Sequence, residues 1–128
     1  INHKIFLAQF DAIKALANRE SCVIVGRCAD YALEDYPNRI SVFVTGNDET
    51  KIKRLAARDN VSEAKAKEIM MKTDKERSSY YNYYSSKKWG DVRSYDLCIN
   101  SSVLGIDGTV DIILAFTQEK MKQFRKGC

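Results

Sequence analysis

Three short apolar runs constrain this chain more than any other feature: SCVIVGR at 21–27, RISVFVTG at 39–46 and YDLCINS at 95–101. In each run apolar residues are continuous rather than alternating. That pattern marks a strand covered on both faces, as in parallel sheets flanked by helices. The segments between the runs carry helical spacing. The expected order is helix–strand–helix–strand–helix–helix–strand–helix, an α/β fold with a parallel sheet between helical layers. Three strands are few for so much helix, and the architecture reads as incomplete.

Phe6, Phe10, Ile13 and Ala17 recur at i, i+4, i+7 and i+11, which predicts an amphipathic helix over residues 3–19. After the second apolar run, Asn47 or Asp48 can cap a helix, with Asp48 and Glu49 at its positive end. Val61-Ser62 marks the next helix start, whose periodic run passes Ile69 and Met70 toward the tyrosines at 80–84. Gly90 breaks a polar stretch over 85–95. The last helix is expected over 106–125, with Ile106, Val110, Ile113, Leu114, Thr117, Met121 and Phe124 on one side. Residues 1–128 read as one domain, and no repeat or linker divides them.

The chain has no apolar run near the roughly 18 residues a membrane span needs. Cys22, Cys28, Cys98 and Cys128 form no C-x-x-C pair, and His3 is the only histidine, so no zinc site is expected. Reduced thiols in the cytoplasm are the default reading, with Cys22 and Cys98 as small core residues.

Charge is uneven. Residues 51–93 hold 12 basic and 6 acidic side chains, whereas residues 1–50 hold 5 and 7. The positive middle segment suits phosphate, and it contains SSYYNYYSSKKWG at 78–90. Tyrosines among lysines fit a stacking platform for single-stranded nucleic acid, a lid over a phosphorylated small molecule, or a packed helix end. The small regional charge and the lack of an RNA-module motif argue against nucleic acid. Helical spacing puts Tyr80 and Tyr84 on one side as anchors, with Tyr83 beside them and Tyr81 about 100° away.

Taken in order, SCVIVGRCADYAL, VFVTGNDETKIKRLAARD and KTDKERSSYYNYYSSKKWGDVRSYDLCINSS resemble the cytidylate kinase-like family, a branch of the nucleoside monophosphate kinases within the P-loop phosphotransferases. The resemblance implies a three-layer P-loop kinase-like fold. It also implies ATP-dependent phosphorylation of CMP, dCMP or a similar small acceptor, assisted by Mg2+. Gly26 and Arg27 match the middle of a motif lying against the bound monophosphate, so Arg27 is the candidate phosphate ligand. A helix cap or a pair with Asp30 is the bland alternative for Arg27. Arg54 falls where the family stacks an arginine on the donor adenine, with Arg58 one turn later; a solvated face with Asp59 fits them equally. Residues 62–94 occupy the place of the mobile lid. Arg77, Lys75 and Lys72 are its candidate catalytic cations, and Lys87 and Lys88 are candidates for substrate. Asp74 and Arg77 also fit an ordinary i, i+3 surface pair.

Two positions depart from the family pattern. Val25 stands in place of an acidic residue, and Cys28 in place of the aspartate that contacts the base, a role Asp30 would have to assume. No metal ligand is identifiable. The sequence contains no G-x-x-x-x-G-K-[ST] loop, so the resemblance implies the C-terminal portion of a longer kinase. A second reading is a nucleotide-sensing protein that keeps the fold without the chemistry. Nucleotides are the expected partners, with no membrane, and an exposed sheet edge would favour self-association.

Overall fold

The computed structural model describes residues 3–127. Five helices and one short sheet make up an α/β chain: α1 (His3–Arg19), α2 (Ala29–Ala32), β1 (Val42–Thr45), α3 (Asp48–Asp59), α4 (Glu63–Ser85), β2 (Leu97–Asn100) and α5 (Ser101–Gly127). A single 3-10 turn, Val92–Ser94, precedes β2. The two strands pair in parallel, Val42 opposite Leu97 through Thr45 opposite Asn100.

The first apolar run is not a strand. Residues 21–25 are irregular, with Val23 95% and Val25 88% exposed. A strand needs a ladder partner, and β1 and β2 pair only with each other. Of this run, Ile24 finds apolar cover, against Ile13, Ala29 and Ala32. The expected three strands are therefore two.

Cysteine placement differs as well. Cys22 and Cys98 are exposed, whereas Cys28 is buried. Cys22 lies in the unpaired run. Cys98 sits opposite Phe43, which takes the aromatic cover of Trp89 and Tyr95 at centroid distances of 5.2 and 4.9 Å.

Helix ends follow local chemistry. Ser62 caps α4 by accepting the Lys65 N–H at 3.1 Å, and Ser86 closes that helix in the left-handed conformation. Asn47 precedes α3 without a side-chain cap bond; its side-chain Oδ1 accepts from Asn100 Nδ2 instead. Gly105 (φ 74°, ψ 179°) interrupts α5, so one turn at Ser101–Leu104 is followed by a separately directed helix from Ile106. That helix begins where the 3.6-residue pattern placed it. Much of its apolar side, including Ile106, Val110 and Leu114, is exposed.

The main core lies between α1, α2 and α4. Phe6, Cys28 and Tyr81 are buried there, flanked by Phe10, Tyr31, Tyr80, Tyr84 and Trp89. Phe6 stacks on Tyr84 at 3.8 Å with 7° between the rings. Tyr80 and Tyr84 thus anchor α4 to α1, as their spacing predicts. Tyr81, which the spacing points elsewhere, is the most deeply buried of the four, and Tyr83 is exposed. The face 100° away is covered by α2 rather than by solvent.

Candidate functional site

In a parallel sheet the strand carboxyl ends form the rim where ligands bind. Here that rim is fixed by side chains. Ser101 Oγ donates to the Thr45 carbonyl at 3.0 Å, and the Asn47 N–H donates to Ser102 Oγ at 2.9 Å. Asn100 Nδ2 donates to Asn47 Oδ1 at 2.8 Å, while Asn100 Oδ1 accepts the Ser102 N–H at 2.9 Å. Three strands would place Arg27, residues 45–48 and residues 100–102 on one rim; the structure joins the last two, whereas Arg27 follows an irregular run and not a strand end. A Cβ at Gly46 would touch the Lys51 side chain and Ser102 Oγ, each at 3.4 Å, so this turn packs closely against both.

Lys51, one turn into α3, reaches across to α4 and pairs with Asp74 at 3.0 Å. The same carboxylate holds Arg77 at 3.5 Å, leaving that guanidinium largely exposed. Arg77 is thus tied to the rim helix through Asp74. The i, i+3 pair was visible in the sequence; Lys51 was missed, and its position five residues past Gly46 was the available signal.

Lys72 and Lys75 are exposed on α4 and, with Glu76, Ser79 and Tyr80, line a shallow depression of about 400 Å³. Tyr80 also feels the charge of Arg27, which favours its ionised form, although burial dominates and raises its pKa. Arg27 itself follows the irregular run at 21–25. It is exposed and sits in an elbow where Gly26, Arg27 and Cys28 have φ of 70°, 62° and 54°. Two consecutive non-glycine residues in this region cost roughly 1–2 kcal/mol each. Strain of that kind persists where the surrounding structure over-determines it.

The next turn supplies that determination. Asp30 Oδ2 accepts a 2.7 Å hydrogen bond from the buried Tyr81 hydroxyl. Burial, and then this bond, push the Tyr81 phenol far above its usual range. Burial, reinforced by the Asp30 charge, raises the Cys28 thiol to about 11, so it is protonated at neutral pH. Asp30 does not pair with Arg27.

The other candidates stand apart. Arg54 is exposed on α3. Arg58 grips Asp59 through bonds of 2.8 and 3.2 Å, which lower the Asp59 carboxyl and raise the guanidinium. Lys87 pairs with Glu34 at 3.3 Å and, with Lys88, lines a cleft together with Tyr95 and Asp96, residues that lead into the amino end of β2. The structure does not bring those two lysines to the carboxyl rim. Among the described residues, no group of three or more His, Cys, Asp or Glu could hold a metal ion. Among the same residues no helix is long and apolar enough to cross a membrane.

Residues 1–103 match the cytidylate kinase-like family. The chain is similar to the cytidylate kinase of Desulfurococcus amylolyticus, 25% identical over 112 residues covering 87% of this chain and 60% of the relative. It is 31% identical over 85 residues to the cytidylate kinase of Staphylothermus marinus, covering 66% and 48%. A crystal structure of an uncharacterized protein from Eubacterium ventriosum superposes with a TM-score of 0.86 at 44% identity, covering 90% of this chain and 65% of that one. The chain thus spans between about half and two thirds of the length of these relatives. An elbow bearing Arg27, the Lys72, Lys75 and Arg77 cations of α4 and a rim built from Asn47 and Asn100 lie within the matched residues, and the chain belongs to the cytidylate kinase-like family.

Proposed function

We propose that the protein is a nucleoside monophosphate kinase-like phosphotransferase, moving a phosphoryl group from ATP to CMP, dCMP or a similar small acceptor in the cytoplasm. The observation that carries this reading is the strained elbow at Gly26–Cys28, which holds Arg27 exposed within the residues that match the family. Family membership supports the same chemistry.

Phosphoryl transfer needs alignment and charge neutralisation more than covalent help from the protein. In this reading Arg27 takes the acceptor phosphate, since a planar guanidinium can bind two of its oxygens at once. Arg77 neutralises the transferring group, with Lys72 and Lys75 adding to the field. Arg54, exposed on α3, is suited to stack on the donor purine. Arg58, already held by Asp59, is less available for that role. Asp30 has one oxygen engaged by Tyr81 and the other open to a donor on the acceptor base. Magnesium, where bound, would supply further neutralisation. The described residues include no carboxylate set fitted to it.

The test is ADP formation from ATP with each nucleoside monophosphate in turn. Turnover is expected with CMP or dCMP, and absence of turnover with every acceptor sinks the proposal. A second reading, nucleotide binding without transfer, is favoured by Val25 and Cys28 at positions where the family pattern is acidic. Saturable binding by calorimetry alongside a null kinase assay identifies it. The exposed apolar side of α5 supports self-association, which sedimentation can measure.

A further inference from the structure

The amino ends of the strands carry a feature that the kinase reading does not use. Ser41 and Asp96 close that end of the sheet: the Asp96 N–H donates to the Ser41 carbonyl, and the Ser41 N–H donates to Asp96 Oδ2, both at 2.8 Å. Beside them opens a cleft of about 620 Å³, whose lining includes Arg39, Lys87, Lys88, Arg93, Asp91 and Asp96. That volume is within the range of small-molecule sites.

Most of these charges are spoken for. Arg93 forks onto Asp91 at 2.7 and 3.1 Å. Lys87 pairs with Glu34 at 3.3 Å. Asp96 accepts from Ser41 and has Lys120 at 3.7 Å. Arg39 and Lys88 remain, and among the described residues neither has a carboxylate within 4.0 Å. Arg39 Nε is also cut off from solvent with no hydrogen-bond acceptor. A buried guanidinium N–H left unsatisfied is unfavourable and uncommon. Because Nε is closed off, an oxyanion in the cleft meets this guanidinium through its terminal nitrogens, beside the Lys88 ammonium, which has only the more distant Asp91 charge near it.

We propose that Arg39 and Lys88 form an oxyanion site for a phosphate group, at the opposite end of the strands from the Asn47–Asn100 rim. A guanidinium fork and an ammonium together match the geometry and double charge of a phosphate better than those of a single carboxylate. The surrounding space accommodates a phosphate ester as well as free phosphate. This site lies apart from the Arg27, Arg77, Lys72 and Lys75 set of the kinase reading, and it gives Lys88, a substrate candidate in the sequence, a different ligand.

Amide chemical shifts of the labelled protein, followed during titration at constant ionic strength, provide the test. Inorganic phosphate and glycerol phosphate are the two probes, with acetate as control. Both phosphates are expected to move signals of residues 86–96 saturably, and acetate is not. Tighter binding of glycerol phosphate identifies an ester as the ligand; equal or tighter binding of inorganic phosphate identifies the free ion. Lys88→Ala and Arg39→Met should each weaken binding roughly tenfold, the loss of one charge-assisted contact. Arg93→Ala, whose guanidinium is committed to Asp91, should change it less than twofold. If Arg39→Met does not fold, the exposed Lys88→Ala decides alone. No saturable shift at tens of millimolar phosphate, equal weakening by Arg93→Ala, or shifts confined to residues 45–48 and 100–102 overturns the proposal.

Discussion

Tyr81 and Asp30, separated by 51 positions in sequence, meet through a 2.7 Å hydrogen bond that joins α4 to the turn following Arg27. The hydroxyl is buried, and its acceptor is a carboxylate. Such bonds contribute about 1.5–3 kcal/mol. Tyr81→Phe and Asp30→Asn should each destabilise the protein in urea, and the double variant should lose less than their sum. A coupling energy near zero in that cycle would show the pair to be energetically independent.

The elbow predicts a separation of stability from function. Arg27→Gly relieves a left-handed non-glycine residue, an expected gain of about 0.5 kcal/mol after the entropy of the new glycine is counted. The same change should weaken nucleoside monophosphate binding at least tenfold by calorimetry, roughly one charge-assisted contact. Unchanged affinity would remove Arg27 from the proposed site.

Thiol reactivity should follow burial. With Cys128 replaced by serine, a maleimide or disulfide reagent at pH 8 should label the exposed Cys22 and Cys98 quickly and Cys28 only on unfolding. Cys28 holds its proton to about pH 11 when folded, and the unfolded chain releases it near 8.5. Between those values the unfolded state binds fewer protons, so this residue lowers stability as pH rises through that window. Urea midpoints for wild type and Cys28→Ala should therefore diverge above pH 8.5. Parallel pH profiles would refute the assignment.

Ser62→Ala removes the cap of α4 and should destabilise the protein by about 1 kcal/mol. Ser62→Asp should restore most of that loss, as a side-chain oxygen at the same position can accept the Lys65 N–H. Equal urea midpoints for wild type and Ser62→Ala would show that the cap carries no stability.

Local signals in the sequence located what local physics controls. The 3.6-residue spacing of Phe6, Phe10 and Ile13 found α1, and Val61-Ser62 found the start of α4. Apolar runs found β1 and β2 because each has the other as partner. SCVIVGR has the same composition and is not a strand, since pairing is a property of neighbours and not of the run itself. Tyr81 eluded helical geometry for a related reason: its face is buried by α2, a four-residue helix whose placement is tertiary. At the candidate site, Asp74 and Arg77 were legible as an i, i+3 pair. Lys51, Arg39 and the Tyr81–Asp30 bond were not, because each depends on elements brought together from distant parts of the chain.

Asp74 gives the site one further property. A single carboxylate serves two cations, Lys51 at 3.0 Å and Arg77 at 3.5 Å. An anion arriving at Arg77 can take over the longer of these contacts while the shorter one survives. No bare charge is produced at either stage of the exchange, so in the proposed kinase reading the aspartate would be a placeholder for an arginine that a phosphate takes over.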